Sequence, residues 1–238
     1  MPTFRHGKKT AVFLNSTDMS SYLNEATVTR EIEANDITTF GSTSRSYIVG
    51  MDDGGVSLTG LFDGSANASD AVLAGRVLQD NNTLTVLPEG TALGSRAILT
   101  SADETAYEIS MPVADVVALS ATFQADGGVR QGFNLITTTG TASGTATSVD
   151  FGSTMSNGAI FHLHVPANTY GSATTFKVQD SANNSSFADV ATFTSVNGSA
   201  TTSERIVNTS SVNRYLRAVA TITGSSGSVS YIIATARR

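Results

Sequence analysis

The chain has 238 residues, room for one large all-β core or two smaller ones, and only 14% of them are charged against the ~25% usual in soluble domains. Ser, Thr, Ala, Gly and Asn stand in place of the missing charges, a surface that suits strands lying against neighbours and argues against a helical enzyme. The net charge of -6 sits in the first half, where residues 1–134 carry 8 basic and 16 acidic side chains, so no basic stripe for gripping duplex nucleic acid exists there.

Cysteine is absent, which excludes disulfides and thiolate metal sites. The first apolar stretch, Ala11-Val12-Phe13-Leu14, is too short for a signal-peptide core, and no run reaches the ~20 apolar residues of a membrane helix. No membrane partner is expected, and the chain is expected to be made and held in a cytoplasm.

Along the chain, period-2 patterns dominate. Residues 9–14 read as a first strand. In 26–33, Val28, Arg30 and Ile32 share one face opposite Thr27, Thr29, Glu31 and Glu33. Residues 55–62 alternate again, with Val56, Leu58, Gly60 and Phe62 on one side. One helix is expected near Ser69 to Gln79: alternation stops, Val72, Leu73 and Val77 fall about a turn apart, Ser69 or Asn67 can cap, and Asp80-Asn81-Asn82 ends it. Further strands are expected at 84–87, 96–100, 106–111 and 116–124, each bounded by Gly, Asp, Asn or Pro. Residues 137–148 are Thr, Gly, Ser and Ala only and read as a linker. Beyond them, strands are expected at 159–165, 174–179, 188–194, 215–222 and 229–234. The fold class predicted is all-β with one short helix: a sandwich or half-barrel over 1–134, a linker at 135–148, and a second, smaller β-sandwich over 149–238.

Chemistry is scarce. His162 and His164 lie two apart on a strand, a spacing that can chelate a metal, but no carboxylate lies near to complete a site. Two histidines on the solvent side of a half-buried strand are the expectation. The stretch from Asp63 to Asp70 looks like a calcium loop but has Ala68 and Ala74 at its sixth and twelfth positions, so a turn before a helix explains it better. Asp52-Asp53 and Asp103-Glu104 are adjacent pairs that a strand would point to opposite faces, poor dyads and good turn residues. There is no nucleophile elbow, phosphate loop, nucleotide fingerprint or zinc-protease helix. Arg214-Tyr215-Leu216-Arg217 could hold a sugar or phosphate, although cross-strand pairing explains it more simply. Neither catalysis nor a cofactor is expected.

The first half resembles the major tail protein (tail tube protein) family of long-tailed, siphovirus-like bacteriophages. The resemblance runs over residues 10–132, through Asp18-Met19-Ser20, Val28-Thr29-Arg30-Glu31, Thr38-Thr39-Phe40-Gly41, Arg45-Ser46-Tyr47 leading to Gly50-Met51-Asp52-Asp53, and Gly60-Leu61-Phe62-Asp63, and closes with 111–124 and 127–132. The second half resembles a sandwich appended to phage virion proteins, on residues 187–194, Glu204-Arg205-Ile206 and 214–217, with Phe187 where a Trp is usual.

The resemblance implies a structural protein of the virion tail, assembled in the host cytoplasm as stacked, hexameric rings whose strands join across subunits. The tube would be the conduit for genome delivery, with DNA passing an acidic lumen transiently and without specificity. Implied partners are further copies of the chain, a tape measure protein, a tail terminator and baseplate or tail-tip proteins. Asn35 to Asp53 is expected to be a long connection, mobile in the free subunit, that reaches the adjacent ring through Ile37, Phe40, Arg45, Tyr47 and Ile48. The C-terminal sandwich is expected on the tube exterior and dispensable for polymerisation. A carbohydrate-binding or adhesin-type β-sandwich module is the alternative.

Overall fold

A computed structural model of the chain describes residues 4–224 and 226–238. A 3-10 turn at Gly7–Lys9 precedes β1 (Ala11–Leu14), β2 (Thr17–Asp18), β3 (Leu23–Asp36) and β4 (Tyr47–Leu61). After the helix α1 (Ser69–Ala74) come β5 (Asn82–Leu87), β6 (Arg96–Ser110), β7 (Ala118–Gly140), β8 (Gly144–Thr145), β9 (Val149–Asp150) and β10 (Ala159–Asn168). The chain ends through β11 (Thr174–Ser181), β12 (Ala188–Thr192), β13 (Thr202–Asn208), β14 (Tyr215–Ile222) and β15 (Val229–Arg237). The class is all-β with one short helix, as its alternating sequence requires.

The strands divide into two compact units that cut across the sequence halves. One, the sandwich unit, takes the chain through Ser21, then Thr83–Leu99 and Arg130–Arg238; the other, the hairpin unit, takes Tyr22–Asn82 and Thr100–Val129. The boundary expected between 134 and 149 therefore does not coincide with the division that packing makes. Residues 135–148 are not a free linker either. Leu135 is fully buried, β7 continues to Gly140, pairing Thr137 with Ile232 and Gly140 with Val229, and β8 pairs Thr145 with Val219. Thr-rich sequence without large side chains reads as a spacer, but Thr is a good strand former once a partner strand is present.

In the sandwich unit, one sheet runs β2-β1-β5-β6-β7-β15-β10-β13, and a second runs β12-β11-β14 with β8 and β9 both on β14. Between them, Phe161, Leu163 and Val165 of β10 and Tyr231 and Ile233 of β15 share a core with Phe176 and Val178 of β11 and Leu216 and Ala218 of β14. Each large side chain so buried stabilises by about 1.5–3 kcal/mol. The opposite face of β15 is also covered: Ile232, Ala234 and Ala236 cluster with Ala11, Phe13, Leu87, Ala97 and Leu99. Burial on both faces explains the unbroken apolar run of β15.

In the hairpin unit, β4 pairs with β3 on one side and with β7 on the other, in a register that sets Val56 opposite Phe123 and Leu58 opposite Ala121. All four are buried, as are Val72 and Leu73 of α1. The helix is shorter than expected. Gly75 ends it, and only isolated turns follow, Arg76 N–H to Leu73 O and Gln79 N–H to Arg76 O. Ser69 does not cap it: its hydroxyl donates to Leu61 O and accepts from Asp63 N–H, tying the helix start to the end of β4.

Candidate assembly surface

The strands β3 and β4 are 14 and 15 residues long, and β7 pairs with β4 only over Gly55–Leu61. At the base, Arg30 pairs with Gly54, where a Cβ would lie 2.5 Å from Thr29 O and 2.8 Å from Val129 Cγ2; glycine is what lets the strands approach there. Above this point Glu31 faces Asp53, Ile32 faces Asp52, the register shifts, and pairing resumes as Ala34–Val49, Asn35–Ile48 and Asp36–Tyr47. The ends of the expected long connection are thus ladder, and the true connection is residues 37–46.

That connection has its own hydrogen bonds. Asp36 Oδ1 accepts from the Thr38 amide at 2.9 Å and from the Thr38 hydroxyl, which holds its carboxyl below the usual range. Ile37 N–H donates to Ser46 O at 2.9 Å, Ser46 N–H to Thr38 Oγ1 at 3.0 Å, and Gly41 supplies the left-handed φ of +90° that the turn needs.

Almost nothing on this arm is covered. Phe40 is 110% exposed, Met51 78% and Val49 72%, with Ile32, Ile37, Tyr47 and Ile48 all more than half exposed. Of the five residues expected to reach a neighbour, Arg45 Nη1 lies 3.5 Å from the Tyr47 hydroxyl, Ile37, Phe40 and Ile48 are exposed on the same hairpin, and Tyr47 and Ile48, consecutive on β4, point to opposite faces. Sequence reasoning missed Ile32, Val49 and Met51 as members of this surface. The signal was the run Tyr47-Ile48-Val49-Gly50-Met51, which reads as a strand buried on both faces but finds no cover in its own unit. A second exposed apolar group lies at the other end of β4, where Phe62 N–H bonds Val117 O and Leu61, Met111, Val113 and Val116 face outward.

The histidines occupy another environment than expected. Both are fully buried, because β1 and β5 cover the second face of β10. His164 Nδ1 lies 2.7 Å from Asn15 O, which can only accept, so that nitrogen carries the proton. Thr85 Oγ1 then donates to His164 Nε2 at 2.8 Å and accepts from His162 Nδ1 at 3.0 Å. Desolvation pushes His164 down to about 4 and His162 well below its ordinary value, so both are neutral. Glu104 is likewise buried, and desolvation pushes its carboxyl up to about 7 against the pull of Arg76.

Among the described residues, no group of three or more His, Asp or Glu could hold a metal ion, and no helix is long and apolar enough to cross a membrane. Asp63 accepts from Ser65 N–H and its carbonyl from Asp70 N–H, which is turn geometry. Arg214 grips Asp150 with two hydrogen bonds of 2.8 and 2.5 Å and lies over Tyr215, while Arg217 bonds Gln179 and stacks 3.8 Å over the Phe187 ring. Both aromatic rings that could face a sugar there carry a guanidinium.

No protein family and no curated protein matches the sequence. Among solved structures, the chain is similar to one from the virion of a native gene transfer agent particle, with 12% identity, 53% of this chain and 97% of that one covered, and a TM-score of 0.43. It is similar to the SPP1 tail tube, with 11% identity, 54% and 78% coverage and a TM-score of 0.42. Similarity to SPP1 Dit (gp 19.1), described as a hub adsorption apparatus of phages infecting Gram-positive hosts, extends over 95% of this chain and 98% of that one, with 12% identity and a TM-score of 0.39.

Proposed function

We propose that the chain is a structural subunit that polymerises with copies of itself into stacked rings forming a phage-type tail tube, and that it performs no catalysis. The observation that carries this reading is the β3–β4 arm: a hydrogen-bonded hairpin whose outer half displays seven large apolar side chains to solvent. Monomeric soluble proteins rarely leave such a patch uncovered, because the apolar area gains free energy only when a partner covers it. A long, uncovered hairpin is also a hazard for uncontrolled pairing unless its intended partner is abundant, and another copy of the same chain always is.

The strand β3 pairs only with β4 among the described strands, so its outer backbone edge is available for strand addition by a neighbouring subunit. Rings joined in this way, six subunits each as the sequence resemblance implies, enclose a conduit for the genome. The arm reaches the adjacent ring through Ile37, Phe40, Arg45, Tyr47 and Ile48. A tape measure protein inside, a terminator and tip proteins at the ends, and a place in the virion tail after assembly in the host cytoplasm belong to the same reading. The acidic balance of residues 1–134 keeps passing DNA from adhering. The carbohydrate-binding alternative draws no support from the Arg214–Arg217 face, whose aromatic rings are already stacked under arginine.

Substituting Phe40→Asp places a charge at the most exposed point of the arm without touching a buried group. The expected result is a chain that melts like the parent but forms no filaments under conditions where the parent does. Filaments of parental length from the variant would contradict the assignment of the arm.

A further inference from the structure

Two exposed segments of the chain carry opposite charge. Over residues 29–53 the arm has five carboxylates, Glu31, Glu33, Asp36, Asp52 and Asp53, against Arg30 and Arg45. Arg30 is taken by Asp52, at 3.7 Å. Glu31 sits directly opposite Asp53 in the ladder, a like-charge pair that destabilises a sheet unless something cationic lies across it. Neither Glu31 nor Glu33 forms an ion pair among the described residues.

The complementary segment is Phe4-Arg5-His6-Gly7-Lys8-Lys9, with three cationic side chains, no acid, and Phe4 90% exposed. Its geometry is set: the Lys8 amide donates to His6 Nδ1 at 3.1 Å and the Thr10 amide to Gly7 O at 2.8 Å, closing the 3-10 turn that presents both lysines. Arg5, Lys8 and Lys9 likewise form no ion pair among the described residues.

We propose that residues 4–9 of one copy dock on the β3–β4 arm of a second copy, the cations across Glu31, Glu33 and Asp53 and Phe4 against the arm's exposed apolar side chains. This rests on the self-assembly reading and names the surface that receives the arm. The occupant is a copy of this chain because the chain itself supplies a segment matching the arm in both respects, apolar and oppositely charged. Made in one direction only, a contact between two different surfaces of one chain is heterologous, and it then repeats from copy to copy to build a ring or filament; made reciprocally it would close a two-fold dimer. Lysines held in a formed turn lose less entropy on docking than a free tail would. Cancelling Glu31 against Asp53 repulsion makes the arm more stable docked than alone.

The chain has no cysteine, which makes cross-linking a clean test. Lys8→Cys and Glu33→Cys are made as separate full-length proteins, mixed under assembly conditions and oxidised. The expected product is a mixed disulfide dimer, absent when Lys177→Cys replaces Lys8→Cys. In parallel, K8E/K9E and E31K/E33K should each raise the critical concentration for assembly about tenfold or more, and the four changes in one chain should return it to within about threefold of the parent. Circular dichroism melts show that each variant is folded. Reversals without effect, a combination no better than its parts, or a failure of the Lys8→Cys and Glu33→Cys proteins to cross-link would each overturn the docking while leaving self-assembly standing. A parent chain that never associates would remove both readings together.

Discussion

Side chains that carry charge or protons behave oppositely in the two units. In the sandwich unit the chain from His162 Nδ1 through Thr85 to His164 and Asn15 O has one consistent proton order; that order requires a neutral His164, and burial keeps His162 neutral beside it. A folded-state value of about 4 for His164, against an ordinary value near 6.5, means the unfolded chain binds more protons between those limits. The unit's stability is therefore complete above pH 6.5 and is lost as pH falls toward 4. Glu104 in the hairpin unit has the reverse sign: with its carboxyl at about 7 instead of 4.5, the fold binds the extra proton, and stability is lost as pH rises from 4.5 through 7. Glu104→Gln should raise stability at pH 8 by about 1–3 kcal/mol and flatten the alkaline slope, leaving the acid slope in place. Urea midpoints across pH 4–8 read both; an acid slope that vanishes with Glu104→Gln would show the assignment to be wrong. Thr85→Val removes the hydroxyl that joins the two rings and should cost about 1–3 kcal/mol for each buried nitrogen it orphans. A neutral result in the same titration would mean that the rings find other partners.

Among the elements, those that pack locally were legible. β14 at Tyr215–Ile222 is where alternation alone puts it, and β11 begins where expected, because a strand half-covered by one core writes its period into the sequence. β15 also begins where expected, its apolar run set by burial on both faces. β13 was not legible: Thr202–Asn208 carries no large aromatic and is only partly covered, so its strand state comes from pairing with β10. The buried face of His162 and His164 was missed because the strands that cover it, β1 and β5, lie more than seventy positions away in sequence. In the arm, Ile37, Phe40, Tyr47 and Ile48 could be singled out as apolar in a polar stretch, but a period-2 pattern interrupted by the shift between Ile32 and Ala34 hid the ladder. Deleting residues 42–46 shortens the connection and leaves the Asp36–Tyr47 pair to close the hairpin. The expected outcome is a folded subunit whose elongation fails, judged by light scattering; unimpaired growth would mean that the apolar sides of the arm suffice without its tip.

At the level of the whole molecule, the dispensable C-terminal sandwich expected from the sequence gives way to a different division. β15 supplies Ile232, Ala234 and Ala236 to the cluster that buries Ala11, Phe13, Leu87 and Leu99, and β7 runs on through Gly132 to pair with it. Truncation after Gly132 should therefore expose that cluster and yield aggregated or unfolded protein. A cooperative melt from the truncated chain would show that the first 132 residues hold a core of their own. The central claim is that this chain assembles with itself, and negative-stain electron microscopy of the purified full-length protein tests it most directly. Rings of uniform bore, or filaments of stacked rings, are the predicted result. A field of dispersed monomers at every concentration and salt condition, with the Phe40→Asp variant indistinguishable from the parent, would contradict it.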